Sequence, residues 1–144
     1  MSKAPLESSR RLAAPRILVV DDSDDQRALY AECLGFRGYE VAQASDGEEA
    51  VRAAFLQQPA IIVMDLDMPV MDGWTATRIL KGDARTEGVP ILVVTGNASP
   101  ERLGALREAG CDGVLLKPCS PDALIAAIEH LLRGELLPAR LCSA

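Results

Sequence analysis

Short apolar runs punctuate the chain: RILVV (16–20), EVAQA (40–44), AIIVM (60–64), PILVV (90–94) and GVLL (113–116). Each has strand length and is rich in Val, Ile and Leu. The runs lack alternation, as expected of strands covered on both faces. Only EVAQA carries a polar interior residue, Gln43, so it is expected at an edge of the sheet.

Helical signals lie between these runs. Ser23 with Gln26 forms a capping-box pattern ahead of DDQRALYAECLGF, and Ser45 with Glu48 repeats it before EEAVRAAFLQQ. Ser99-Pro100 and Ser120-Pro121 each place an N-cap before a proline at the first helical position. Gly110 and Gly134 stand where C-terminal caps belong. In the last helix Leu124, Ile125, Ile128, Leu131 and Leu132 fall at helical spacing and form one stripe.

The pattern is a βα unit repeated five times from about residue 16 to 133. It predicts an α/β fold with a parallel sheet, right-handed crossovers and helices on both faces. Residues 1–14 are expected to be a flexible arm, 15–133 the folded domain and 134–144 a frayed tail. Ligands of such sheets bind beyond the C-terminal strand ends, where the strand order reverses.

Composition narrows the classes. A chain of 144 residues suits one domain. A hydrophobic content of 49% marks it as globular. A net charge of −6 argues against a nucleic-acid partner, because phosphate backbones call for a basic face. No apolar run approaches the roughly 20 residues of a membrane span. The segment SRRLAA resembles a twin-arginine signal, but only ILVV follows before two aspartates, so no export signal is expected. Cys33, Cys111, Cys119 and Cys142 form no CxxC pair, and a single histidine makes a zinc site improbable. Reduced thiols packed as small hydrophobes, and a cytoplasmic location, are expected. His130, the sole histidine, lies off the stripe of the last helix and reads as a solvated residue.

The strand ends carry the chemistry. The first ends in Asp21-Asp22, the third in Asp65, the fourth in Thr95 and the fifth in Lys117. Each alone has an ordinary explanation as a cap, a β-branched strand residue or a surface lysine. Together they place three carboxylates, a hydroxyl and an ammonium on one edge. Carboxylates a few ångströms apart repel by roughly 4 kcal/mol per pair at an effective dielectric of 20. A protonated acid offsets this, and a divalent cation does so better; hard oxygen ligands select Mg²⁺, which favours phosphate as a co-ligand. The lysine and threonine suit phosphoryl oxygens, so the edge reads as a phosphoryl-transfer site. With no GxxxxGK[ST] loop for a nucleotide, the phosphoryl group is expected to land on a carboxylate of the protein itself.

The motifs LVVDD, VMDLDMPVMDG, VVTG and LLKP, in this order and spacing, resemble those of the receiver domain of bacterial two-component response regulators. The resemblance covers residues 16 to about 133 and implies a flavodoxin-like (βα)5 sheet of order 2-1-3-4-5. It implies that Asp65 is the phosphoacceptor. Asp21 and Asp22 would hold Mg²⁺ together with Asp65 and the backbone carbonyl of Asp67. Thr95 would be the switch residue that follows the phosphoryl group, with Lys117 as its ion-pairing partner. Met68, Pro69 and Gly73 would shape the loop after the acceptor, and the peptide before Pro118 would be cis. The implied partners are a sensor histidine kinase or a histidine phosphotransfer protein, and a downstream protein. A homodimer through the last two helices and last strand is also compatible.

Two departures from the family pattern stand out. Val114 occupies the place of the usual switch aromatic, and Cys119 that of a common phenylalanine. Activation is therefore expected to rearrange the loop after the fourth strand without an aromatic flip. Asp67 and Asn97 flank the route of water to an acyl phosphate and are expected to affect its lifetime. The twelve residues RGELLPARLCSA after Leu132 show no DNA-binding helices, so output by protein contact or by phosphorelay is expected. Leu136, Leu137 and Leu141 of that segment offer an alternative to the expected frayed tail, docking on the domain or on a partner.

Two other functions compete. DLDMP superficially matches the DxDx[TV] motif of haloacid-dehalogenase-type phosphatases, with Asp65 as nucleophile and Asp67 as acid/base. Pro69 in place of Thr or Val, the acid pair ahead of the nucleophile and the lack of room for a cap domain count against it. A receiver-like scaffold that is never phosphorylated is the other alternative; all five expected site residues being present counts against that.

Overall fold

The structure is a computed structural model and describes residues 14–68 and 70–137. Five strands alternate with five helices: β1 (Arg16–Val20), α1 (Asp24–Phe36), β2 (Glu40–Ala44), α2 (Gly47–Gln57), β3 (Ile61–Asp65), α3 (Gly73–Lys81), β4 (Ile91–Thr95), α4 (Pro100–Ala109), β5 (Gly113–Leu116) and α5 (Pro121–Leu132). The sheet is parallel, in the order β2-β1-β3-β4-β5. This is the expected flavodoxin-like arrangement, with β2 at one edge.

The unbroken apolar runs divide into two cores by the two-residue period of a strand. Ile17, Val19, Ile61, Val63, Leu92 and Val94 face one side, under Tyr30 and Leu34 of α1 and Leu124 and Ile128 of α5. Leu18, Val20, Ile62, Met64, Ile91 and Val93 face the other, under Ala50 and Ala54 of α2, Ala76 and Leu80 of α3 and Leu106 of α4. Burying a side chain of this size stabilises the fold by roughly 1.5–3 kcal/mol. The strands therefore form a stiff platform for whatever their ends carry.

Local signals set the helix starts. The side chains of Ser23, Ser99 and Ser120 accept hydrogen bonds from the backbone N–H groups of Gln26, Arg102 and Ala123, as capping requires. The second cap lies one residue later than expected, at Asp46 rather than Ser45. Asp46 Oδ1 accepts from Glu49 N at 2.8 Å, and Glu49 Oε1 reaches back to Ser45 N at 2.7 Å. The box thus closes around Gly47, whose N–H binds the carbonyl of Met71 at 2.9 Å. Asp72 caps α3, which no capping pattern had marked.

Strands β3 and β4 end at Asp65 and Thr95, as expected, one residue beyond the apolar stretches. Asp65 pairs in register with Val94, and Thr95 with Leu116, so the ladder carries both polar residues into the sheet. The chain after α5 does not fray at Gly134, contrary to expectation. Glu135 N donates to the His130 carbonyl at 2.9 Å, and Leu137 packs against the core beside Gly113. His130 is only partly exposed and binds Glu135 at 2.8 Å. Pro69, Leu141 and Cys142 lie outside the described residues. Cys33, Cys111 and Cys119 are free thiols. Among the described residues, no helix is long and apolar enough to cross a membrane.

Candidate functional site

In the order β2-β1-β3 the winding of the chain reverses: from β1 it passes outward to β2 and then returns to β3 on the other side of β1, and the C-terminal ends of β1 and β3 flank the resulting crevice. Asp21 and Asp22 follow β1, and Asp65 ends β3. Each offers a carboxylate oxygen, and these oxygens all lie within 4.8 Å of one another. Asp21 and Asp65 are buried, while Asp22 is exposed. An all-oxygen trio of this size suits a hard divalent cation such as Mg²⁺.

The cluster is held from behind by backbone contacts. Asp21 N donates to the Ala44 carbonyl at 3.1 Å, and Asp21 Oδ1 accepts from Ser23 N at 2.9 Å. Gly73 N donates to the Leu66 carbonyl at 2.9 Å. A Cβ at Gly73 would run into the carbonyl oxygen of Asp65, so only glycine lets α3 begin directly against the end of β3. This is the physical reason for the glycine eight residues beyond Asp65.

Lys117 reaches in from the end of β5. Its Nζ lies 3.4 Å from Asp65 Oδ1 and 3.9 Å from Asp21 Oδ2. Burial pushes the Asp65 carboxyl above its ordinary range; Lys117 opposes this, and the charge of Asp21 adds to it. The lysine thus only partly offsets the accumulation of negative charge.

Thr95 is buried at the end of β4, on the strand beside Asp65. Its hydroxyl donates to the Asn97 carbonyl at 3.3 Å and accepts from Asn97 N at 3.2 Å. The Asn97 side chain accepts from Ser99 N at 3.2 Å and so leads the loop into α4. The side chain of Asp67 stands apart from the carboxylate trio: it is 75% exposed and pairs with Arg102 at 3.5 Å. Met68 is partly buried against the core.

Two residues of this region gave no sequence signal. Tyr30 donates from its hydroxyl to the carbonyl of Cys119 at 3.2 Å, tying α1 to the loop that bears Lys117. Burial, reinforced by the charges of Cys119, Asp21 and Asp65, pushes its hydroxyl up to about 12. Arg102, in the first turn of α4, touches Asp67 and Thr95 and lies over Trp74. A cation in the first turn opposes the helix dipole, and that misplacement is the one feature that could have flagged it. The peptide between Lys117 and Pro118 is cis. Val114 is half-buried and lines a cavity of about 330 Å³ together with Ala98, Leu103, Cys111 and Leu137.

Comparison with known proteins agrees with this geometry. The response regulator receiver domain family matches residues 17–129, and the chain belongs to that family. It is 40% identical over 122 residues to the transcriptional regulatory protein PrrA of Mycobacterium tuberculosis, covering 85% of this chain and 52% of PrrA. The chain thus spans about half the length of that relative. The chemotaxis response regulator CheY4 of Vibrio cholerae has a similar structure, with a TM-score of 0.79, 33% identity and coverage of 82% of this chain and 98% of CheY4. So does the receiver domain of the sensor histidine kinase PA1611 of Pseudomonas aeruginosa, at a TM-score of 0.77 and 31% identity, covering 84% of this chain and 99% of that domain. That structure has a magnesium ion coordinated in its active-site cleft. The protein is therefore a two-component signalling receiver, a class of modules that interact with histidine kinases and phosphotransfer partners.

Proposed function

We propose that the protein accepts a phosphoryl group on Asp65 from a histidine kinase or histidine phosphotransfer protein, in a Mg²⁺-dependent reaction. The observation that carries this reading is the convergence of three carboxylates within 4.8 Å with Lys117 Nζ 3.4 Å from Asp65 Oδ1. Asp21, Asp22 and Asp65 would hold the cation through their side chains, and Asp67 through its backbone carbonyl. Bound Mg²⁺ supplies charge neutralisation and a template for phosphoryl oxygens.

Asp65 Oδ attacks the phosphorus of a phosphohistidine. The new P–O bond forms as the P–N bond breaks, and the imidazole nitrogen leaves with the electron pair. Lys117 neutralises the phosphoryl oxygens. The Thr95 hydroxyl turns from the Asn97 carbonyl to donate to one of them. Water later attacks the acyl phosphate, returning the Asp65 carboxylate and inorganic phosphate.

The folded receiver is read as residues 15–133, acting in the cytoplasm. Output runs through a protein partner or onward transfer of the phosphoryl group, by a rearrangement of the loop after β4. Val114 and the adjoining cavity support a switch that uses no aromatic flip. The phosphatase alternative is disfavoured by the placement of Asp67, whose side chain is engaged by Arg102 outside the carboxylate trio.

The test is incubation with acetyl phosphate and Mg²⁺, followed by intact mass. The expected result is a gain of one phosphoryl group, lost in Asp65→Asn and lost with a chelator. A gain that persists in Asp65→Asn overturns the assignment.

A further inference from the structure

The guanidinium of Arg102 has capacity that its present contacts leave unused. Its Nη2 lies 3.4 Å from Thr95 Oγ1 and 3.5 Å from Asp67 Oδ2. Charge-assisted bonds of this type usually close to about 2.7–2.9 Å. Its Nε is buried and has no hydrogen-bond partner among the described residues. Its Cζ stands 5.4 Å from the centroid of the Trp74 ring. The side chain is 23% exposed, so it sits at the rim of the crevice and not free in solvent. Its place in the first turn of α4 is electrostatically unfavourable, and the charge of Asp67 opposes that.

From these contacts we propose that Arg102 is a positioning residue of the phosphoryl site. It neutralises Asp67 at the mouth of the crevice, so that an anionic phosphodonor can approach, and it releases Thr95 when the phosphoryl group arrives. The inference rests on Asp65 being the phosphoacceptor.

The chemistry of Thr95 requires the second half. A hydroxyl has one hydrogen and two acceptor sites. The hydrogen goes to the Asn97 carbonyl, and the acceptor sites take Asn97 N and Arg102 Nη2. The hydroxyl is saturated. It cannot turn towards Asp65 without breaking its bonds in the loop, the Arg102 contact among them. Asp67 remains as the tether, and the guanidinium shifts over the Trp74 ring. Trp74 is the only tryptophan of the chain, so this shift has its own optical signal.

The first half follows from charge. A donor entering the crevice meets Asp21, Asp22 and Asp65, and without Arg102 it also meets an uncompensated Asp67. Phosphoryl uptake from acetyl phosphate, with Mg²⁺ present, is measured for wild type, Arg102→Gln, Arg102→Lys and the double variant Arg102→Gln/Asp67→Asn. Thermal unfolding of each variant verifies its fold. Arg102→Gln is expected to slow uptake about tenfold, the low end of what local charge does to association with an anion. Arg102→Lys keeps the charge and most of the rate. The double variant, which retains the backbone carbonyl at position 67, recovers to within about twofold of wild type, and the rate loss in Arg102→Gln grows at low ionic strength. Addition of beryllofluoride with Mg²⁺ changes Trp74 emission in wild type and much less in Arg102→Gln.

A wild-type rate in folded Arg102→Gln overturns the proposal while leaving Asp65 as acceptor. So does a double variant that stays as slow as Arg102→Gln. A wild-type protein that takes up no phosphoryl group on Asp65 overturns both readings, and the two failures are thereby told apart.

Discussion

Lys117 and Lys81 stand at opposite ends of the strands, the C-terminal and the N-terminal edge of one sheet, each facing an aspartate, and they have little else in common. Lys81, in the last turn of α3, lies 2.9 Å from Asp112 Oδ2, 2.9 Å from the Val89 carbonyl and 3.3 Å from the Glu87 carbonyl. All three of its donors are taken. Asp112 Oδ2 also accepts from Ile91 N at 2.8 Å, which ties the start of β4 to the turn before β5. Lys117 faces two carboxylates and closes on neither, at 3.4 and 3.9 Å. The same pair of residue types makes a joint at one edge and the proposed phosphoryl site at the other. The number of partners each charge has already satisfied distinguishes them.

Three substitutions break or sharpen this contrast. The largest effect is expected from Lys117→Met. Removing the cation that faces Asp65 should lower the rate of phosphoryl uptake by about two orders of magnitude, the size seen when one charge-stabilising donor is removed. The melting temperature should fall by only a few degrees, since the Lys117 pairs are long and leave much of the repulsion uncompensated already. A melting temperature that collapses would make Lys117 a structural residue after all.

Asp112→Ala comes next. It leaves Lys81 without its acid and Ile91 N–H without an acceptor, a cost of roughly 1–3 kcal/mol. For a domain of this size that is a fall of roughly 2–10 °C in Tm, read by calorimetry. Phosphoryl uptake should stay within about twofold of wild type. A large loss of uptake would mean that the two edges are coupled.

The smallest effect is the most diagnostic. Asp65→Asn removes one of three crowded carboxylates, so in the presence of a chelator it should raise Tm by a few degrees, about 1 kcal/mol of relief. Adding Mg²⁺ should raise the Tm of wild type more than that of the variant, because the variant lacks one ligand. A variant less stable than wild type without metal would show that Asp65 is held in a satisfied network like that of Asp112.

Much of this was legible in the order of residues. Apolar runs bounded by caps lead to five βα units, and the rule that ligands sit at C-terminal strand ends picks out Asp21, Asp22, Asp65, Thr95 and Lys117, which the structure brings to one edge. The misses have a common cause. The cap moves from Ser45 to Asp46 because Gly47 must meet Met71, a residue of another loop. Arg102 and Tyr30 matter through where their long side chains reach, and nothing within a few residues of either reveals that reach. The leucines of the tail leave docking open in the sequence, and the place where Leu137 packs shows only once the surface beside Gly113 is in view.

The glycine at the start of α3 has a practical consequence. Gly73 N is bonded to the residue after Asp65, and Gly47 N to Met71 in the same loop. Glycine amides resonate in a sparsely populated region of a proton–nitrogen correlation spectrum. The protein therefore carries two native probes, one close behind Asp65 and one a step further out. Their peak shifts would time the arrival and departure of the phosphoryl group in a kinase mixture, without a dye, a tag or a radioactive donor.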